Sequence, residues 1–196
     1  MSKTLYLMRH GETLFNQLHL IQGWCDSPLT KRGQAQAQIA GEYFLKQGIH
    51  FDAAYSSTQE RASDTLERVA PGLSCQRLKG LKEWNFGRFE AQPEFLNPKP
   101  PYGDFFKYAG GESQSEVEER LFETLSELMA VCSERSKVLA VSHGGALACF
   151  TRATGNQLPR GLKNCCILKF SYESNGKFIL EEVINHDFSE LERKEK

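Results

Sequence analysis

The sequence predicts an α/β fold, a three-layer sandwich whose mostly parallel central sheet carries helices on both faces. Two observations predict it. Short apolar runs at residues 4–8, 53–55 and 137–142 are each followed, directly or after a loop, by a segment with helical periodicity. Each run also ends abruptly in small or polar residues, as buried strands do on leaving a sheet: Arg9-His10-Gly11, Ser56-Ser57 and Ser142-His143-Gly144.

The elements follow in order. Residues 4–8, Thr-Leu-Tyr-Leu-Met, read as a buried strand. Thr30 can cap a helix through Gln47, with Ala37, Ile39, Ala40, Tyr43 and Phe44 supplying the apolar stripe and Gly48 the stop. Residues 53–55 form a second strand. A helix begins near Ser57 and runs to about Val69, where Pro71-Gly72 breaks it. Residues 78–83 are expected to hold another strand. Residues 90–112, dense in Pro, Gly and aromatics, are expected to form a short cap excursion. Ser113 and Glu116 frame a capping box for a helix to about Glu134. Residues 137–142 are the plainest buried strand, and a short apolar helix follows. Strands near 167–172 and 178–183, joined at Ser174-Asn175-Gly176, predict a hairpin. The charged tail at 189–196 predicts frayed helix or solvated coil. Residues 1–196 are read as one domain.

The net charge of −1 gives no global field that would draw nucleic acid or a membrane surface. A site for phosphate must therefore concentrate positive charge locally. None of the six cysteines forms a CxxC pair, and several sit inside apolar runs, which predicts reduced, packed thiols and a cytoplasmic setting. The apolar stretch before Arg9 is too short for a secretion signal, and no stretch is long enough to span a bilayer.

In open α/β sheets ligands bind beyond the carboxyl ends of strands. The three polar runs fall there, so the fold brings them to one rim. A neutral imidazole at His10 is a competent nucleophile toward phosphorus, with Gly11 permitting close approach. Arg9 can hold phosphate oxygens with its planar fork. Arg61 lies one turn into a helix whose amides favour an anion. His143, if protonated, adds a third cation. These cations would stabilise a transferring phosphoryl group and keep His10 unprotonated. Taken singly, each run has an ordinary structural explanation. Their joint placement is what points to chemistry.

The blocks resemble those of the histidine phosphatase superfamily, the phosphoglycerate mutase-like family, in order along most of the chain. Leu7-Met8-Arg9-His10-Gly11-Glu12-Thr13 is similar to the family's signature, with Asn16 at its phosphate-binding asparagine. Gln22-Gly23, Asp26-Ser27-Pro28-Leu29-Thr30, the run from Ser56 to Thr65, Leu81-Lys82-Glu83-Trp84 through Glu90, Gly110-Gly111-Glu112-Ser113 and Val141-Ser142-His143-Gly144-Gly145 resemble the remaining blocks. The resemblance implies that His10 attacks phosphorus and that Glu83 is first acid and then base. It also implies that Arg9, Arg61 and His143 hold the phosphoryl oxygens, with Asn16, Gln22 and Gly23 on the substrate.

Family mutases carry a large insertion between the acid block and the Gly-Glu-Ser block. Here that stretch is short, and Phe86-Gly87 with Glu90 resembles the phosphatase branch. The expectation is a phosphatase for small phosphomonoesters that needs no metal and no cofactor. Cofactor-dependent phosphoglycerate mutase is the alternative, which Gly23-Trp24-Cys25-Asp26 favours. A phosphate-recognising pseudoenzyme or regulatory binding protein is the rival from another class, and the intact His10, Arg61, Glu83 and His143 set speaks against it. A metallohydrolase would need an acidic cluster and closer histidines than these. Within 90–112, Phe95, Tyr102, Phe105, Phe106 and Tyr108 either pack the excursion onto the domain or wall the substrate.

Overall fold

The computed structural model describes residues 2–158 and 161–194. In chain order the elements are β1 (Lys3–Arg9), α1 (Leu14–Gln17), α2 (Lys31–Lys46), β2 (Ala53–Ser57), α3 (Glu60–Val69) and β3 (Cys75–Leu78). Then come α4 (Phe105–Tyr108), α5 (Gln114–Val131), β4 (Lys137–Ser142), α6 (Gly144–Ala153), β5 (Ile167–Tyr172), β6 (Phe178–Ile184) and α7 (Ser189–Lys194). Among the described residues they build a six-stranded sheet in the order β3-β2-β4-β1-β5-β6. β3, β2, β4 and β1 run parallel, and β5 and β6 are added antiparallel as the expected hairpin.

The sheet is covered on both faces because its strands alternate apolar residues to both sides. Leu5, Leu7, Val138 and Ala140 join Leu121 and Leu125 of α5 and Phe150 of α6 in one core. Their neighbours in register, Tyr6, Met8, Leu139 and Val141, meet Phe44 of α2 and Leu66 of α3 in the other. The expected α/β sandwich is what forms. Burial pushes the Cys149 thiol up to about 12, as suits a packed, unreactive cysteine, and all six cysteines are free.

Three local expectations need correction. The strand expected at 78–83 lies earlier, at Cys75–Leu78, and Lys79–Leu81 is a 3-10 turn. The reason is spacing: pairing with β2 ends at Leu78, and the next buried apolar residue is Leu81, three positions on rather than two. α5 has the expected capping box at Ser113 but stops at Val131, short of Glu134. α3 begins at Glu60 rather than near Ser57, so Arg61 stands in its first turn. Of the tail, residues 189–194 are helical, and 195–196 lie outside the described residues.

Candidate active site

β1 and β4 are neighbours and parallel, so Arg9-His10 and Ser142-His143 leave the sheet side by side. Their backbones remain joined past the strand ends, where His10 N donates to Ser142 O at 3.0 Å. The two imidazoles face one another with ring centroids 5.2 Å apart. Gly11 turns the chain, though not by leaving room for a ligand. The space a side chain would fill there is taken by the backbone of Gly33, at the start of α2.

The tautomer of His10 follows from its partner. Nδ1 lies 2.7 Å from the carbonyl oxygen of Gly11, which can only accept, so Nδ1 carries the proton and Nε2 the lone pair. Burial, then the guanidiniums of Arg61 and Arg9, hold the imidazole well below the usual histidine range. His143 is lowered well below that range too, by burial, Arg61, His10 and Arg9. That shift favours the neutral ring, which offers one N–H donor in place of a positive charge.

Glu83 is buried and sits on the N-terminus of α6. Its Oε1 accepts from Trp84 N and Ala146 N, each at 2.8 Å, and its Oε2 from Gly145 N at 2.9 Å. Burial raises its pKa, against the pull of those N–H groups and Arg61. A buried carboxyl with a raised pKa can hold a proton to donate. A Cβ at Gly145 would meet Glu83 Oε1 at 2.7 Å, so glycine there lets the carboxylate keep its place.

Arg61 is completely buried, and most of its guanidinium is already committed. Nη1 donates to Cys25 O at 3.1 Å and to Asp26 Oδ1 at 2.8 Å, and Nη2 to Gly23 O at 2.8 Å. Arg9 Nη1 donates to Leu162 O at 2.6 Å. What remains is telling. Arg9 Nε, Arg61 Nε and both ring nitrogens of His143 are buried with no hydrogen-bond partner among the described residues. Buried donors left open at this density are costly unless an anion completes them.

A cavity of about 460 Å³ opens at this rim, lined by Arg9, His10, Asn16 and Glu83 among others. Asn16 Oδ1 accepts from Thr13 N and Asn164 Nδ2, which leaves its own amide to donate. Gln22 lines the cavity; its Oε1 accepts from Thr13 and its Nε2 donates one N–H to Ser27, which leaves the second N–H to donate. Gly23 is not among the lining residues. Its N–H goes to Glu90, and its carbonyl to Arg61 and Gln59, so the structure gives it a supporting position. Arg61 and His143 are fully buried and also absent from the lining, with the His143 ring 5.2 Å from that of His10.

Glu90, noted in the sequence only for its block, and Asn164, which gave no local signal, both brace the site. Glu90 gathers the N–H groups of Gly23, Trp24, Cys25 and Phe86. Asn164 ties Asn16 to the carbonyl of His10. The aromatics of 90–112 divide: Phe106 is fully buried against Phe86, Phe89 and Tyr102, Phe95 and Tyr108 stand largely exposed, and none of the five lines the cavity. The excursion instead contributes Glu94 and Asn97. Among the described residues, no group of three or more His, Cys, Asp or Glu is placed to hold a metal ion, and no helix is long and apolar enough to cross a membrane.

Open donors of this kind suit a tetrahedral oxyanion, and an imidazole with a free Nε2 stands beside them. Residues 5–185 match the histidine phosphatase superfamily (branch 1), and the chain belongs to that family. It is 39% identical over 92 residues to the 2,3-bisphosphoglycerate-dependent phosphoglycerate mutase of Brucella ovis, covering 44% of this chain and 45% of the relative. The chain thus aligns with under half the length of that curated relative. Its fold matches a phosphoglycerate mutase from Bacillus anthracis with a TM-score of 0.81 at 25% identity, over 100% of this chain and 97% of the other. It also matches a phosphoserine phosphatase from Entamoeba histolytica, in complex with 3-phosphoglyceric acid, with a TM-score of 0.80 at 27% identity, over 94% and 98% of the two chains.

Proposed function

We propose that His10 Nε2 attacks the phosphorus of a small phosphomonoester in line while the Glu83 carboxyl gives its proton to the departing alkoxide. The N–P bond forms as the P–O bond breaks. Water then attacks the phosphohistidine, Glu83 takes its proton, and inorganic phosphate leaves with His10 restored. Arg9 Nε, Arg61 Nε and the His143 ring meet the equatorial oxygens, with the Asn16 amide in support. Their unpartnered N–H groups beside a lone-paired Nε2 are the observation that carries the reading. The test is acid-labile, base-stable 32P on the protein after rapid quenching with a labelled ester. Labelling absent in His10→Ala is expected; labelling that survives the substitution overturns it.

The acceptor in the second step has two readings. By name, the comparisons favour phosphoglycerate mutase over hydrolysis, since the curated relative and the Bacillus anthracis structure both carry that name. The cavity favours water: its described lining sets Leu20, Phe86 and the carboxylate of Glu94 beside Arg9. A mutase must hold a second phosphate and a carboxylate, and such walls oppose both. On that chemistry we propose hydrolysis, with the mutase reaction as second reading. Incubation with 3-phosphoglycerate and 2,3-bisphosphoglycerate separates them: release of inorganic phosphate supports hydrolysis, and equilibration with 2-phosphoglycerate supports the mutase. We further read the chain as a single domain, metal-independent and cytoplasmic, on its composition and its free cysteines.

A further inference from the structure

The cavity has two ends. The floor offers donors to a phosphate, whereas the cap side offers acceptors. Residues 91–94 are hydrogen-bonded to the loop before Gln22: Ile21 N donates to Gln92 O at 2.7 Å, Ala91 N to Ile21 O at 2.9 Å and Glu94 N to His19 O at 2.8 Å. This clamp seats a 3-10 turn at Glu94–Leu96, closed by Asn97 N donating to Glu94 O at 3.0 Å. Side chains three apart eclipse in such a turn, so Glu94 and Asn97 share a face, and both line the cavity. Asn97 Oδ1 is buried there with no donor to it. The nearest ion-pair partner of Glu94 is the His19 ring, 3.8 Å away and largely in solvent. The Glu94 charge nevertheless bears on Arg9 and Tyr102, which places it within electrostatic reach of the site. Leu20, Phe86, Leu158 and Leu162 supply apolar lining to the same cavity.

We propose that Glu94 and Asn97 form a leaving-group subsite for a protonated amine. The preferred substrates are then phosphate monoesters of amino alcohols: the phosphate lies on the floor, a short carbon chain along the apolar wall, and the ammonium against the Glu94 carboxylate and Asn97 Oδ1. Asn97 gains the donor it lacks, and a substrate carboxylate at the same place meets like charge. This rests on phosphoryl transfer through His10, and its test separates the two. The ratio of kcat/KM for phosphoethanolamine over ethyl phosphate, its counterpart without the ammonium, is expected to be about ten-fold or more in the natural enzyme. In Glu94→Gln the ratio falls to about one, and Glu94→Lys inverts it and improves 3-phosphoglycerate relative to phosphoethanolamine. Glu94 is solvent-exposed, so both variants fold. Turnover of both esters with no preference, or a preference that survives Glu94→Gln, overturns the subsite and leaves the transfer chemistry standing. Failure to turn over any ester, with no label on His10, overturns both.

Discussion

Replacing Glu83 by glutamine keeps the shape of the side chain and removes its transferable proton. Three backbone N–H groups meet the carboxylate, two at Oε1 and one at Oε2. A glutamine carbonyl can serve the two at Oε1, which leaves its amide facing the N–H of Gly145. One donor facing another costs about 1–3 kcal/mol, so the variant folds with reduced stability. The kinetic loss depends on the leaving group. An alkoxide needs the proton, and loss of the general acid slows alkyl esters about 10²–10⁴-fold, roughly 3–5 kcal/mol in the barrier. Nitrophenolate leaves without help, so the first transfer to His10 is largely spared. The second step still needs a base for water and slows. Stopped-flow mixing of Glu83→Gln with p-nitrophenyl phosphate is therefore expected to show a burst of one nitrophenolate per enzyme and then a slow phase, with phosphohistidine accumulating. Equal losses for alkyl and nitrophenyl esters, with no burst, would refute the assignment of both proton transfers to Glu83.

Four further outcomes are expected. Activity should peak on the acid side of neutrality: His10, lowered well below its usual range, stays unprotonated in mild acid, while Glu83, raised, loses its proton only as pH climbs. A kcat/KM profile for an alkyl phosphate with an alkaline optimum would contradict this. Asp26→Ala removes the carboxylate from buried Arg61 and from the N–H of Glu60 at the start of α3, at a cost of about 3 kcal/mol, visible as a lowered Tm together with a fall in kcat/KM. Gly33→Ala pushes a methyl into the backbone of Glu12, costing about 1–3 kcal/mol and displacing the His10 turn; unchanged activity and Tm would show that α2 does not brace it. Treatment with EDTA followed by desalting should leave turnover unchanged, and loss restored by a divalent cation would establish a metal requirement.

Much of this molecule was legible in one dimension. Apolar runs ending in polar residues located β1, β2 and β4, and parallel pairing of β1 with β4 then sufficed to put His10 beside His143. Chain chemistry at single positions was equally plain: the Ser113–Glu116 capping box and the Asn175-Gly176 turn act within a few residues, so sequence carries them whole. Where the sequence misled, the missing quantity was a distance between remote segments. Gly11 faces Gly33, not a ligand. Phe106 packs inward, while Glu94 and Asn97 reach the cavity.

The sequence by itself determined the sheet, the rim and the identity of the groups gathered on it. The strands and their polar ends follow from periodicity and local turn chemistry, which depend on neighbours along the chain, while Glu83 and Asn16 were named by the resemblance to the family. Only the tertiary structure decided their state: His10 and His143 held well below the usual histidine range with the His10 lone pair on Nε2, Glu83 raised, and Arg61 left with its Nε–H unpartnered. Protonation and hydrogen-bond capacity are set by burial and by partners brought from elsewhere in the chain. The Arg9-His10-Gly11 turn was readable from the start; that it faces a floor of open donors and a wall of open acceptors is a property of the fold.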